Sequence, residues 1–220
     1  MEPGVQLVQR GETMYGPSQT IDTSDYGVTA KQEGMPLRWT NTDPTDPTKT
    51  LSENDVFCVL VRNVSGITLM PSMTVTWASG FIGRRVDGYA RTTAVAIAGI
   101  VDDHLSVTTG VRNGDMFWLM VKGKVLAYTG TSTFTNDIWA AGDFLYAITA
   151  AASTANTTGG TTADDAGNLI NWNAVGTFTE TQTTDGTLLN LTRNAFAKAI
   201  SAATSGETRT RKLVDLDVRI

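Results

Sequence analysis

The chain has 220 residues, 41% of them hydrophobic and 18% charged, which suits one sizeable domain or two small ones, with a core buried without a disulfide or metal staple. A formal net charge of −5 and a pI near 4.8 disfavour an electrostatic grip on DNA, RNA or anionic lipid. The single cysteine, Cys58, excludes an intrachain bridge; with no basic leader before an apolar stretch, and no apolar run near the ~20 residues that cross a bilayer, the expectation is a soluble protein made in the cytoplasm without a membrane partner.

The charge is unevenly placed. Residues 1–60 hold four Lys/Arg against nine Asp/Glu, whereas residues 61–220 hold thirteen of each. All six prolines (Pro3, Pro17, Pro36, Pro44, Pro47 and Pro71) fall in the first third. Residues 1–50, rich in Gly, Thr, Gln and Asp with scattered large apolar residues, cannot build a core alone. They are expected to form an extended arm with a short strand at Leu37-Arg38-Trp39, followed by a Thr-Asp-Pro-Thr-Asp-Pro linker at residues 42–47.

From Leu51 the pattern becomes that of a β-rich body, residues 51–220. The β-branched and aromatic run at residues 56–61 predicts a buried strand ending at Arg62-Asn63, with Cys58 as a small buried hydrophobe. Residues 73–77 alternate, which puts Met73, Val75 and Trp77 on one face and the threonines on the other. An Ala/Val/Ile-rich strand at residues 93–101 ends at Asp102-Asp103. Val111-Arg112-Asn113-Gly114-Asp115 reads as a tight turn into Met116–Val121, and Lys122-Gly123-Lys124 as the turn that returns the chain through Val125–Tyr128 as a hairpin.

Further strands are expected at residues 144–148 and 172–180, with a long small-residue loop at 150–160 between them. Leu188, Leu189, Leu191, Ala195, Phe196, Ala199 and Ile200 share a face at helical spacing and predict one helix. At the end of the chain, Val214, Leu216, Val218 and Ile220 alternate with Asp215, Asp217 and Arg219, the mark of a strand with one wet face. The fold class expected is all-β: a small barrel-like body with one accessory helix and an extended N-terminal arm. Threonine, about one residue in six, suits such a surface, and no fixed-period repeat points to a solenoid or propeller.

Motifs for chemistry are sparse. Asp102-Asp103-His104 holds the only histidine, but no further ligands stand at metal spacing and no nucleophile elbow is present, so it reads as a strand-end turn with solvated carboxylates. Asp215 and Asp217 share a strand face, as any half-exposed terminal strand would arrange them, with Arg219 as neutralising partner. Arg209, Arg211 and Lys212 form a basic cluster read as a solvated loop. Gly159-Gly160 lacks the lysine and spacing of a phosphate loop. The Asn-X-Ser/Thr triplets at Asn63, Asn156 and Asn190 carry no weight without secretion. Of the five tryptophans, Trp77 and Trp118 lie in apolar runs and belong to a core, so a sugar-stacking platform would rest on Trp39, Trp139 or Trp172. No cofactor, metal or catalytic residue is expected.

One segment resembles a known family. Gly99-Ile100-Val101-Asp102-Asp103-His104-Leu105, then Gly110-Val111-Arg112-Asn113-Gly114-Asp115-Met116-Phe117-Trp118-Leu119-Met120-Val121-Lys122-Gly123, resembles a segment of the capsid decoration (cement) proteins of tailed bacteriophages. Val61–Leu69 with Met73-Thr74-Val75 is similar to the opening of that unit, so the likeness covers roughly residues 51–129. It implies a β-barrel or β-tulip body, a homotrimer at local threefold positions on the outer surface of an icosahedral virion shell, the major capsid protein as partner, and an arm crossing neighbouring subunits. It implies no enzymatic activity. The arm's apolar residues, Val5, Leu7, Val8, Tyr15, Ile21, Tyr26, Leu37 and Trp39, are the expected anchors at the capsid or protomer interface. A carbohydrate-binding virion surface module or a head-fibre base is the alternative.

Overall fold

The apolar, β-branched runs that dominate the middle of the chain satisfy their backbone groups and bury their side chains by closing a sheet on itself. A computed structural model describes residues 10–13, 33–46, 48–89, 97–128, 140–147, 169–171, 196–204 and 210–218. Ten strands follow in order: β1 (Pro36–Trp39), β2 (Val56–Asn63), β3 (Thr74–Trp77), β4 (Arg85–Tyr89), β5 (Ile97–Val101), β6 (Met116–Tyr128), β7 (Phe144–Ala147), β8 (Leu169–Asn171), β9 (Ala197–Ala199) and β10 (Arg211–Asp217). The sheet runs β1-β2-β4-β3-β5-β6-β10-β9-β7-β8, and a further β2–β6 pairing closes β2, β4, β3, β5 and β6 into a five-stranded barrel. Closure is antiparallel except at β2–β4, where Arg62 lies opposite Arg85 and Asn63 opposite Val86 in parallel.

The all-β class and the barrel are present. Among the described residues there is no helix. The end of the stretch expected to be helical is a strand: Ala197 and Ala199 point inward, Lys198 points out, and the segment lies between β10 and β7. Small residues at period two fit a sheet position flanked on both sides, and that pairing outweighs the helical spacing of the larger side chains. Residues 188–195 of that stretch lie outside the described residues, as do residues 150–160 and 172–180.

The expected hairpin at Lys122-Gly123-Lys124 is a correction of greater consequence. Met116–Tyr128 is one strand of 13 residues. Its first half pairs with β2 and β5, and its second half with β10, from Lys122–Asp217 to Tyr128–Arg211. Each half therefore finds its partner elsewhere, and the chain has no need to fold back. Gly123, at φ +113°, allows the start of β2 to come close: a Cβ there would stand 3.1 Å from the Asp55 carbonyl oxygen.

Double coverage also explains the threonines of β3. Thr74 and Thr76 are buried, not wet, because β3 is flanked by β4 and β5 and covered on both faces. The core contains Cys58, Leu60, Val75, Val86, Ile100, Phe117, Trp118 and Met120, with Trp77 and Trp118 buried as expected. Phe196, Val214 and Leu216 extend it under the outer strands. In β10, Val214 and Leu216 face in while Asp215 and Asp217 face out.

Pro71-Ser72 makes the turn into β3, and Ser72 sits at φ 65°, the left-handed position that glycine usually fills in such a turn. Its buried hydroxyl has no hydrogen-bond partner. Ser72→Gly is therefore expected to raise stability by about 0.5–1 kcal/mol, since strain is relieved and no bond is lost; a higher urea midpoint at unchanged m value checks it.

Candidate functional site

The turn after β5 gathers buried charge. Asp102 and Asp103 are buried, 0% and 1% exposed, not solvated as the sequence suggested. The cause lies 92 residues upstream: the Arg10 guanidinium enters from the N-terminal segment, with Nε 3.2 Å from Asp102 Oδ1 and Nη2 2.7 Å from Asp103 Oδ1. Successive carboxylates leave an extended chain in different directions, and the planar fork of one arginine can reach both.

Backbone donors complete the socket. The amides of Gly11 (2.7 Å) and His104 (3.1 Å) donate to Asp102, and that of Leu126 (3.1 Å) to Asp103. Arg10 Nη1 also donates to the Thr40 carbonyl, and Arg211 Nη1 to that of Asp103, both at 3.3 Å. His104 Nε2 donates to the Thr42 carbonyl at 3.1 Å and stands 3.9 Å from Asp103. The cluster thus joins residues 10–11, the stretch after β1, β6 and β10. A strand-end turn is present, but its side chains point into structural partners instead of a substrate space.

One guanidinium faces two carboxylates, so full ionisation leaves an excess negative charge in a desolvated place. Burial, and then the charge of Asp103, push the Asp102 carboxyl above its ordinary value, against the pull of Arg10 and the amide donors. The folded state accordingly holds this proton more tightly than the unfolded chain. The contribution of Asp102 is fully favourable below the ordinary carboxylate range and is lost as pH rises through the raised value. Asp102→Asn, which still accepts hydrogen bonds, is expected to flatten that decline, measured as unfolding free energy against pH from 4 to 8.

Three further polar anchors hold the N-terminal region. Glu33, 6% exposed, pairs with Arg62 Nε through one oxygen and with Arg85 Nε at 3.0 Å through the other. Arg62 Nη1 also donates to the Gly114 carbonyl at 2.7 Å. Gly34 and Met35 exchange backbone hydrogen bonds with Leu60. Thr13 hydrogen-bonds the Asp115 carboxylate, whose pKa burial raises.

Of the expected interface anchors, Leu37 and Trp39 are half-buried against this chain's own core. Trp39 meets Trp118 edge-on at 5.9 Å. Val5, Leu7, Val8, Tyr15, Ile21 and Tyr26 lie outside the described residues, as do Trp139, Trp172, Arg209 and Arg219. Arg211 and Lys212 belong to β10 and not to a solvated loop, because β6 and β9 flank that strand, and the Arg211 guanidinium lies 5.4 Å from the Tyr128 ring centre. Asp217 pairs with Lys122 at 3.6 Å on the surface. Burial pushes the Cys58 thiol far up. Among the described residues no three His, Cys, Asp or Glu side chains converge as metal ligands would.

Arg10, Glu33, Arg62 and Asp115 escaped the sequence reading. One signal was present: Arg10 is the only basic residue before Lys31 in an acidic stretch. No protein-family model matches the chain, and no curated protein sequence matches it.

Proposed function

We propose that this chain is a capsid decoration protein that binds the outer surface of an icosahedral phage shell and stabilises it by bridging neighbouring major capsid subunits, without catalysing a reaction. The observation that carries this reading is how the buried charges are used. Arg10, Asp102, Asp103, Glu33 and Arg62 bind the N-terminal region to the barrel, so their charges are engaged with one another. A barrel whose polar investment goes into fastening a leading segment suits a molecule that works by holding. The likeness of residues 99–123 to decoration proteins supports the same reading. That segment supplies β5, the acidic turn and the first half of β6, three of the parts that shape the barrel.

In this reading the apolar residues of the first thirty, Val5, Leu7, Val8, Tyr15, Ile21 and Tyr26, meet the major capsid protein, and three copies gather at a threefold position. Affinity comes from many weak contacts made together. The test is co-sedimentation with assembled phage shells, paired with the melting temperature of the shells. Saturable binding that raises shell melting is expected, and replacing Val5, Leu7 and Val8 by serine should weaken it. Protein that stays in the supernatant at every ratio removes the proposal.

A further inference from the structure

Asparagine is chemically labile in water, most of all when glycine follows it, and the chain holds a single Asn-Gly pair, Asn113-Gly114, in the turn into β6. The reaction is intramolecular. The Gly114 amide nitrogen bonds to Asn113 Cγ, its proton leaves with the side-chain nitrogen as ammonia, and a succinimide ring closes. Water then opens the ring at either carbonyl, which gives aspartate or isoaspartate. Glycine favours the attack because no Cβ crowds the nitrogen. Asn113 is exposed and Gly114 half-exposed, so water reaches the pair.

The fold turns the attacking nitrogen away. An imide nitrogen is planar like any amide, so in the succinimide Cγ takes the place that the Gly114 proton held. Here that direction is filled: the Gly114 amide donates to the Asn63 carbonyl at 2.8 Å. The Gly66 amide holds the carboxamide by donating to Asn113 Oδ1 at 2.9 Å. That bond draws electron density from Cγ, but a better electrophile gains nothing while the nitrogen faces elsewhere. The blocking carbonyl is itself fixed, because Asn63 is fully buried and bonded on every side. Its amide donates to the Asp115 carbonyl at 2.9 Å, its Nδ2 donates to the Ile67 and Val111 carbonyls at 2.8 and 3.1 Å, and its Oδ1 accepts from the Ser65 amide and hydroxyl at 3.0 and 2.6 Å.

We propose that Asn113 is a gated deamidation site: inert while Gly114 donates to Asn63, and converted to aspartate and isoaspartate whenever the turn opens in water. The conversion is one-way, so each opening that reacts leaves a permanent chemical record. Isoaspartate routes the main chain through Cγ and lengthens it by a carbon, which displaces the Gly114 carbonyl from Arg62 Nη1, now 2.7 Å away. Arg62 also holds Glu33. Conversion therefore loosens an anchor of the N-terminal region, whatever the barrel binds.

The test is to age the full chain at one pH and temperature, folded in buffer and unfolded in guanidinium chloride. Each asparagine is followed by peptide mass spectrometry, with isoaspartate identified by enzymatic methylation. Asn113 should convert first in the unfolded chain and at least about tenfold more slowly in the folded one. Hydrogen exchange identifies the gate: the protection of the Gly114 amide should match the slowing at Asn113, because one opening frees both. Asn113→Gln should abolish the fast conversion in both states, and the isoaspartyl chain should melt below its parent. Equal rates in the two states, another asparagine leading in the unfolded chain, or fast conversion that survives Asn113→Gln would overturn the proposal. So would a Gly114 amide that exchanges freely while Asn113 stays slow, or an isoaspartyl chain that melts with its parent.

Discussion

Arg10→Met is expected to cost about 3–5 kcal/mol, because it leaves Asp102 and Asp103 buried with no cation between them. Against the ~5–15 kcal/mol that holds a typical domain together, that loss brings the protein close to its unfolding threshold. Urea unfolding at pH 7 reads it directly, as a lower midpoint at unchanged m value. The deficit should shrink as pH falls, since protonating Asp102, whose carboxyl burial holds above its ordinary value, removes charge that Arg10 had balanced. Combining Arg10→Met with Asp102→Asn and Asp103→Asn should recover much of the loss, because it removes both unpaired charges. Arg10→Lys should recover less, since a point charge cannot span two carboxylates. If Arg10→Met is as stable as the parent, the clamp contributes nothing to folding, and the account of the N-terminal region as fastened by charge is wrong.

Gly99→Ala should be nearly as damaging for a steric reason. Gly99 lies where β5 crosses closest to β6, and a Cβ there would stand 2.3 Å from the Met120 carbonyl oxygen and 3.0 Å from Leu119 Cγ. Backbone cannot yield as the end of a flexible side chain can, so the β5–β6 ladder must shift. A loss of about 3 kcal/mol or more is expected. Gly80→Ala is the comparison: its φ of +77° is a left-handed position that an L side chain can occupy at about 1–2 kcal/mol, milder than the φ of +153° at Gly99, and nothing lies within 4 Å of the added carbon. A cost near ~1 kcal/mol there would show that the larger loss at Gly99 comes from its contact with Met120 together with its own backbone conformation. Equal losses at both positions would mean that the close approach of the two strands is not what the glycine protects.

How much of this was legible beforehand divides along a physical line. Local pattern sufficed where a strand announces itself: β2 and the buried Trp77 and Trp118 follow from continuous apolar runs, and β10 from its own alternation. It failed where the decisive partner is distant in sequence. Lys122-Gly123-Lys124 resembles a turn until β10 supplies a partner for the residues beyond it. Ala197–Ala199 resembles the end of a helix until β10 and β7 flank it. The same holds for the cluster after β5, where Asp102 and Asp103 look solvated until Arg10, 92 residues away, is placed between them. The division at residue 50 rested on composition, and the pairing of Pro36–Trp39 with Val56–Val59 crosses it. Compositional bias reports which residues cannot make a core, not which of them lie on one.

Strand β6 belongs to both the barrel and the outer strands: Met116–Met120 and Lys122–Tyr128 are one backbone with partners on either side of Gly123. A load applied to the C-terminal strands therefore travels along one covalent backbone into the closed barrel. For a molecule proposed to brace a pressurised container, such continuity lets tension at the outer strands be felt in the barrel along a single strand.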